Sequence, residues 1–147
     1  MKGRTLAAQL QETIPSHKRT ALVVEDDPDV RGLVGTMLRD LGLEVAEVAE
    51  GRSAILHLAV HQPPDLVCLD LMLPELSGYD VCEFMRGEAR LRSVPILIMS
   101  ARSLPQDRAY AEQVGASTYL VKPFKRKAFR AAVDELLVQQ AAKTDSP

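Results

Sequence analysis

Three acids, Glu25, Asp26 and Asp27, stand side by side directly after the apolar run Leu22-Val23-Val24. Adjacent carboxylates repel, so such a group either retains protons or holds a cation. Other apolar runs also end in reactive side chains: "DLVCLDL" contains Asp70, "VPILIMS" ends in Ser100, and "TYLV" is followed by Lys122. Oxygen ligands without His or Cys suit a hard divalent ion, most simply Mg2+, which takes one or two carboxylates and keeps several waters. Mg2+ commonly serves phosphate, and a carboxylate can attack phosphorus to form an aspartyl phosphate. Phosphoryl transfer requires charge neutralisation and in-line placement more than covalent machinery. On this reading Asp70 is the nucleophile and the remaining acids hold the metal. Lys122 and Ser100 attend the other phosphoryl oxygens.

These residues are tens of positions apart, so the chemistry depends on elements that bring them to one rim. The apolar pattern alternates between two periods. Strand-like runs cover 20–25, 43–48, 65–71, 94–100 and 118–121. Between them the apolar residues recur at helical spacing. Val30, Leu33, Val34, Met37, Leu38 and Leu41 mark a first helix, with Pro28 near its first turn and Gly42 as its stop. Further helices are predicted over 51–61, over 79–88 starting near Ser77 or Gly78, from Pro105 to Val114, and to about residue 140. Five β-then-α units imply an α/β doubly wound parallel sheet of order 2-1-3-4-5, the flavodoxin-like arrangement. Ligands of such folds sit beyond the carboxyl ends of the strands at the switch point, here between strands one and three. Glu25, Asp26, Asp70, Ser100 and Lys122 all fall on that rim.

Composition sets the outer limits. The 147 residues suffice for one domain with a core, which must be aliphatic because aromatics are 4% and Trp is absent. A net charge of −2 gives no global attraction to nucleic acid or anionic membrane. No run reaches the length of a membrane span and no secretory pattern opens the sequence, so the expected location is cytoplasmic. Cys68 and Cys82 read as small buried apolar residues, and His57 and His61 as surface residues lacking a third ligand. Residues 1–18 carry Leu6, Leu10 and Ile14 at spacing four. A weak amphipathic helix is open there, but a flexible extension is the favoured reading. The domain is placed at 19–140, with 141–147 as a frayed tail.

Four blocks, "LVVEDDPDVR", "DLVCLDLMLPELSGYD", "PILIMSA" and "YLVKPF", occur in order with intervals of 44 residues from Asp26 to Asp70, 30 to Ser100 and 22 to Lys122. Together they resemble the receiver domains of two-component response regulators, the CheY-like family, over about residues 20–140. The resemblance implies that Glu25 and Asp26 are the acidic pair for Mg2+, that Asp70 is the phosphoacceptor, and that the backbone carbonyl of Met72 completes the metal ligands. Ser100 matches the switch hydroxyl, Tyr119 the aromatic that moves on activation, and Lys122 the lysine before Pro123, whose preceding peptide bond is usually cis in the family. Asp27 matches no metal ligand and is expected to begin the loop into the first helix. Met72 and Arg102 are expected to flank the phosphoryl group.

By the same resemblance the chain is a signalling phosphoacceptor rather than an enzyme acting on other molecules. Its partners are a sensor histidine kinase or histidine phosphotransfer protein and a downstream protein target. Phosphorylation is expected to switch the surface of the fourth helix, fifth strand and fifth helix, which can also support a homodimer. Lys125, Arg126, Lys127 and Arg130 lie on that surface, but without interleaved aromatics a nucleic-acid partner is not expected. No output domain is visible after residue 140, so a stand-alone regulator is the favoured reading. The main alternative is a degenerate receiver that binds partners without phosphorylation. A haloacid-dehalogenase-type phosphatase would need an acid where Met72 stands, and a flavin mononucleotide carrier would need a phosphate-cradling loop where the acids stand.

Overall fold

A computed structural model describes residues 18–145 of the chain. Its elements alternate: β1 (Thr20–Val24), α1 (Pro28–Asp40), β2 (Glu44–Val48), α2 (Gly51–Val60), β3 (Leu66–Asp70), α3 (Gly78–Gly87), β4 (Ile96–Ser100), α4 (Pro105–Gln113), β5 (Thr118–Val121) and α5 (Arg126–Asp145). The five strands pair in parallel in the order β2-β1-β3-β4-β5, as the sequence predicts. Of the expected N-terminal extension, residues 1–17 lie outside the described residues, as do 146 and 147. α5 continues to Asp145, past the stop predicted near residue 140. Ala141 and Ala142 are strong helix formers, and no Gly or Pro interrupts them before Pro147.

Alternation along the strands divides the core between two faces. Leu22, Val24, Val67, Leu69, Ile96 and Ile98 point to one face, where Ala54, Leu58, Val81, Cys82, Met85 and Ala111 of α2, α3 and α4 cover them. Ala21, Val23, Leu66, Cys68, Leu97 and Met99 point to the other, against Val34, Leu38, Phe129, Val133 and Leu136 of α1 and α5. The central strands β3 and β4 are buried throughout, which is why their sequences read as continuous apolar runs. Each fully buried Leu, Ile or Val is worth about 1.5–3 kcal/mol of transfer free energy. This core holds the strand ends in place beneath the rim.

Two helix starts matter for the rim. Asp27 is the N-cap of α1, and its Oδ1 accepts from the Asp29 N–H at 2.9 Å and the Val30 N–H at 3.4 Å. The third acid of the cluster is thus a capping residue, which agrees with the expectation that it starts the path into the helix. Asp27→Ala should lower stability by about 1 kcal/mol, read by urea unfolding, because the capped donors lose their acceptor. At α3, Ser77 and Asp80 form a reciprocal capping box. Gly78 follows, and a Cβ there would meet the Asp70 carbonyl oxygen at 2.4 Å and Leu71 Cα at 2.8 Å. Only glycine lets α3 approach the backbone immediately after Asp70 this closely.

Candidate functional site

The parallel register sets the rim. Val24 stands opposite Leu69, Asp70 opposite Met99, and Ser100 opposite Val121. The residues just past these pairs, or at their ends, are therefore level across the sheet. Two further backbone bonds extend the ladder into the site: Glu25 N–H to the Val48 carbonyl at 3.1 Å, and Lys122 N–H to the Ser100 carbonyl at 2.7 Å. The Arg31 guanidinium donates to the Glu25 carbonyl at 2.9 Å, which fixes the acidic turn from the α1 side.

The side chains converge. One carboxylate oxygen each from Glu25, Asp26 and Asp70 lies within 4.8 Å of the others, a group able to hold a metal ion. Glu25 and Asp70 are buried, at 1% and 4% exposure, while Asp26 is exposed. The Lys122 ammonium is bonded to Glu25 Oε1 and stands 3.5 Å from Asp70 Oδ2. Asp70 Oδ1 accepts the Met72 N–H at 3.1 Å. The Lys122–Pro123 peptide bond is cis.

Charge governs the protonation of this group. Burial pushes the Asp26 carboxyl up, and its hydrogen bond to Glu25 and the Glu25 charge push it further. Burial pulls the Lys122 ammonium down, but the Glu25 and Asp70 carboxylates outweigh it, so Lys122 titrates above the usual lysine range. Glu25 and Asp70 face Lys122 and Asp26 adds a third carboxylate to the group, an excess of negative charge open to a further cation. The donor set is all oxygen, as a hard divalent ion requires.

Ser100 is buried, and its Oγ accepts the Arg102 N–H at 3.1 Å. Tyr119 on β5 is half-buried, and its hydroxyl donates to the Arg102 carbonyl at 2.8 Å. Asp107 escapes the sequence reading: it is a buried carboxylate on α4, paired with Arg102. Its only sequence signal is an acid in the first turn after Pro105, a pattern equally common on exposed helix starts. Arg31 also escapes, because its partners are the Glu25 and Asp26 backbone carbonyls and a carboxylate on the next strand, Glu47. Away from the rim, Cys68 and Cys82 are free and buried, and burial pushes the Cys82 thiol up to about 12. His57 and His61 stack at 4.0 Å, and neither belongs to a metal-ligand group among the described residues. No helix among those residues is long and apolar enough to cross a membrane.

Comparison with known proteins gives a consistent result. Residues 21–134 match the family model described as the response regulator receiver domain. The DNA-binding dual master transcriptional regulator RpaA of Synechocystis is 37% identical over 127 residues, covering 83% of this chain and 52% of that protein. The alkaline phosphatase synthesis transcriptional regulatory protein SphR of Synechococcus elongatus is 40% identical over 111 residues, covering 70% and 42%. Among solved structures, the receiver domain of a Pseudomonas aeruginosa sensor histidine kinase, with a magnesium ion coordinated in its active site cleft, is 33% identical. It aligns over 82% of this chain and 98% of that one with a TM-score of 0.75. The Vibrio cholerae chemotaxis protein CheY4 is 26% identical over 82% and 99%, with a TM-score of 0.77. The chain spans about half the length of the curated relatives it matches. Those relatives do not support the expectation of a stand-alone regulator, nor the expectation that nucleic acid has no part in the output.

Proposed function

The chain belongs to the response regulator receiver domain family, and on that premise we propose that Asp70 takes a phosphoryl group from a histidine kinase or histidine phosphotransfer protein. The observation that carries this is the meeting of Glu25, Asp26 and Asp70 with Lys122 on one rim of the sheet. An Asp70 oxygen attacks phosphorus, the P–N bond of the phosphohistidine breaks, and its electron pair stays on the imidazole nitrogen. With the ring protonated at its other nitrogen, imidazole leaves neutral. Glu25, Asp26, Asp70 and the backbone carbonyl of Met72 would hold Mg2+. When bound, that ion offsets negative charge on the carboxylates and the phosphoryl oxygens. Lys122 neutralises a second phosphoryl oxygen and the Ser100 hydroxyl donates to a third. Later attack by water on phosphorus breaks the bond to Asp70 and restores the carboxylate.

The phosphoryl dianion recruits Ser100 and, with Tyr119, alters the surface of α4, β5 and α5 that a downstream protein or a second copy of the chain can read. Moving a two-state equilibrium from 1:99 to 99:1 takes about 5.5 kcal/mol, within reach of a few charge-assisted hydrogen bonds. Residues 19–140 are the unit that carries the switch. The names of the curated relatives favour a transcriptional output, so this receiver would govern a DNA-binding partner or segment.

The test is incubation with acetyl phosphate and Mg2+, read by intact mass. The chain should gain one phosphoryl group, and chelation of the metal should reduce the gain to background. No gain at any Mg2+ concentration would favour the alternative of a receiver that binds partners unphosphorylated.

A further inference from the structure

Arg102 makes contacts that the proposed chemistry leaves without a role. Its N–H is bonded to Ser100 Oγ at 3.1 Å and its carbonyl to the Tyr119 hydroxyl at 2.8 Å. Its guanidinium pairs through Nε with Asp107 Oδ1 at 3.1 Å, and Nη1 lies 3.9 Å from Met72 Sδ. The Met72 N–H is itself bonded to Asp70. One residue thus touches the hydroxyl and the aromatic expected to switch, the neighbour of the phosphoacceptor, and the first turn of α4.

Asp107 is the costly member of this set. Its side chain is 7% exposed, and Oδ2 has no hydrogen-bond partner. A buried carboxylate that rests on one cation and leaves an oxygen unsatisfied is stable only while that cation stays. A helix start favours an acid but does not require a buried one. The other cation of the first α4 turns, Arg108, stands over the Tyr119 ring at 5.3 Å. The Arg102 side chain, by contrast, is half exposed, so its guanidinium can leave Asp107 with little desolvation cost of its own.

We propose that Arg102 is a two-position latch that pins the first turn of α4 through Asp107 when Asp70 is bare and transfers its guanidinium to the phosphoryl oxygens when Asp70 is phosphorylated. This rests on Asp70 being the phosphoacceptor and adds the route by which its charge reaches α4. A phosphoryl dianion offers an arginine more charge and more acceptor oxygens than a carboxylate does. Movement of Ser100 toward the phosphoryl group draws the Arg102 backbone with it, because the two are hydrogen-bonded. Asp107, left buried without a counter-charge, then favours opening of its turn toward water. Leu104 at the N-cap and Tyr110 on the next turn, both exposed, ride on that turn, so the surface offered to a partner changes. The coupling is reciprocal: weakening the Asp107 pair favours the phosphorylated state by the same factor by which phosphorylation weakens the pair.

The test is amide hydrogen exchange on the full chain with Mg2+, before and after acetyl phosphate, with phosphoryl occupancy read by intact mass in the same samples. The amides of Asp107 and Arg108 both donate to the Leu104 carbonyl, at 3.0 and 3.4 Å, and report the turn. In the unaltered chain they should exchange about tenfold faster once Asp70 is phosphorylated. Arg102→Met should exchange fast before any phosphodonor is added, Asp107→Asn, which has no charge to strand, should stay slow with and without phosphodonor, and Arg102→Lys should recover part of the slow exchange. Mass gain with no change in exchange in the unaltered chain, or slow exchange in unphosphorylated Arg102→Met, would overturn the latch alone. No mass gain in the unaltered chain would overturn the phosphoacceptor reading and the latch together.

Discussion

Asp70→Asn should gain no phosphoryl group under conditions where the unaltered chain gains one. The substitution preserves shape, and its side-chain oxygen can still accept the Met72 N–H that Asp70 Oδ1 accepts at 3.1 Å. What it removes is the anionic oxygen that attacks phosphorus. No neighbour can replace it. Glu25 is buried at 1% exposure and bonded to Lys122, and Asp26 is exposed at the outer side of the cluster. The loss should therefore be complete, down to background in intact mass, while the fold persists by circular dichroism. A residual gain equal to that of the unaltered chain would move the nucleophile elsewhere.

Lys122→Met should cost about 3 kcal/mol of stability in the absence of divalent metal. Lys122 is the cation that Glu25 and Asp70 share, and removing it leaves two buried carboxylates facing each other. Breaking a buried ion pair by deleting one partner costs about 3–5 kcal/mol. The lower figure fits here because the Lys122 side chain is 21% exposed. Mg2+ should then stabilise the variant more than the unaltered chain, since in the latter a lysine already balances the same carboxylates. An ion present at a hundredfold excess over its dissociation constant adds about 2.7 kcal/mol. Urea unfolding in MgCl2 against NaCl at equal ionic strength measures both effects. No Mg2+ response in either protein would contradict a metal at Glu25, Asp26 and Asp70, and an equal response would contradict the sharing of their charge by Lys122. The raised Lys122 pKa gives the sign of the alkaline limb. Its stabilising contribution is complete below the ordinary lysine range and is lost as pH rises through the folded value. Lys122→Met should lack that loss.

The pairing of strands was legible because the buried strands β3 and β4 read as apolar runs and the helix over Val30, Leu33, Val34, Met37, Leu38 and Leu41 keeps a three-and-four spacing. Parallel pairing then forces the strand ends onto one rim, so the convergence of Asp70, Ser100 and Lys122 followed from topology alone. Element ends were less legible. Ala141 and Ala142 favour continuing α5 past residue 140, but the Lys, Thr, Asp and Ser that follow read as a tail. Contacts between a side chain and a distant backbone or a single distant partner left no trace in the sequence. Arg31 on the Glu25 carbonyl and Arg102 on Asp107 are of this kind, since surface arginines and first-turn acids look the same whether or not they meet.

Treatment of the phosphorylated chain with borohydride converts an aspartyl phosphate to homoserine, and peptide mapping then locates it. The expected result is homoserine at position 70 in samples given acetyl phosphate and Mg2+, and nowhere in samples given acetyl phosphate with chelator. Homoserine at another acid, or none at any position with Mg2+ present, would contradict a phosphoacceptor at Asp70.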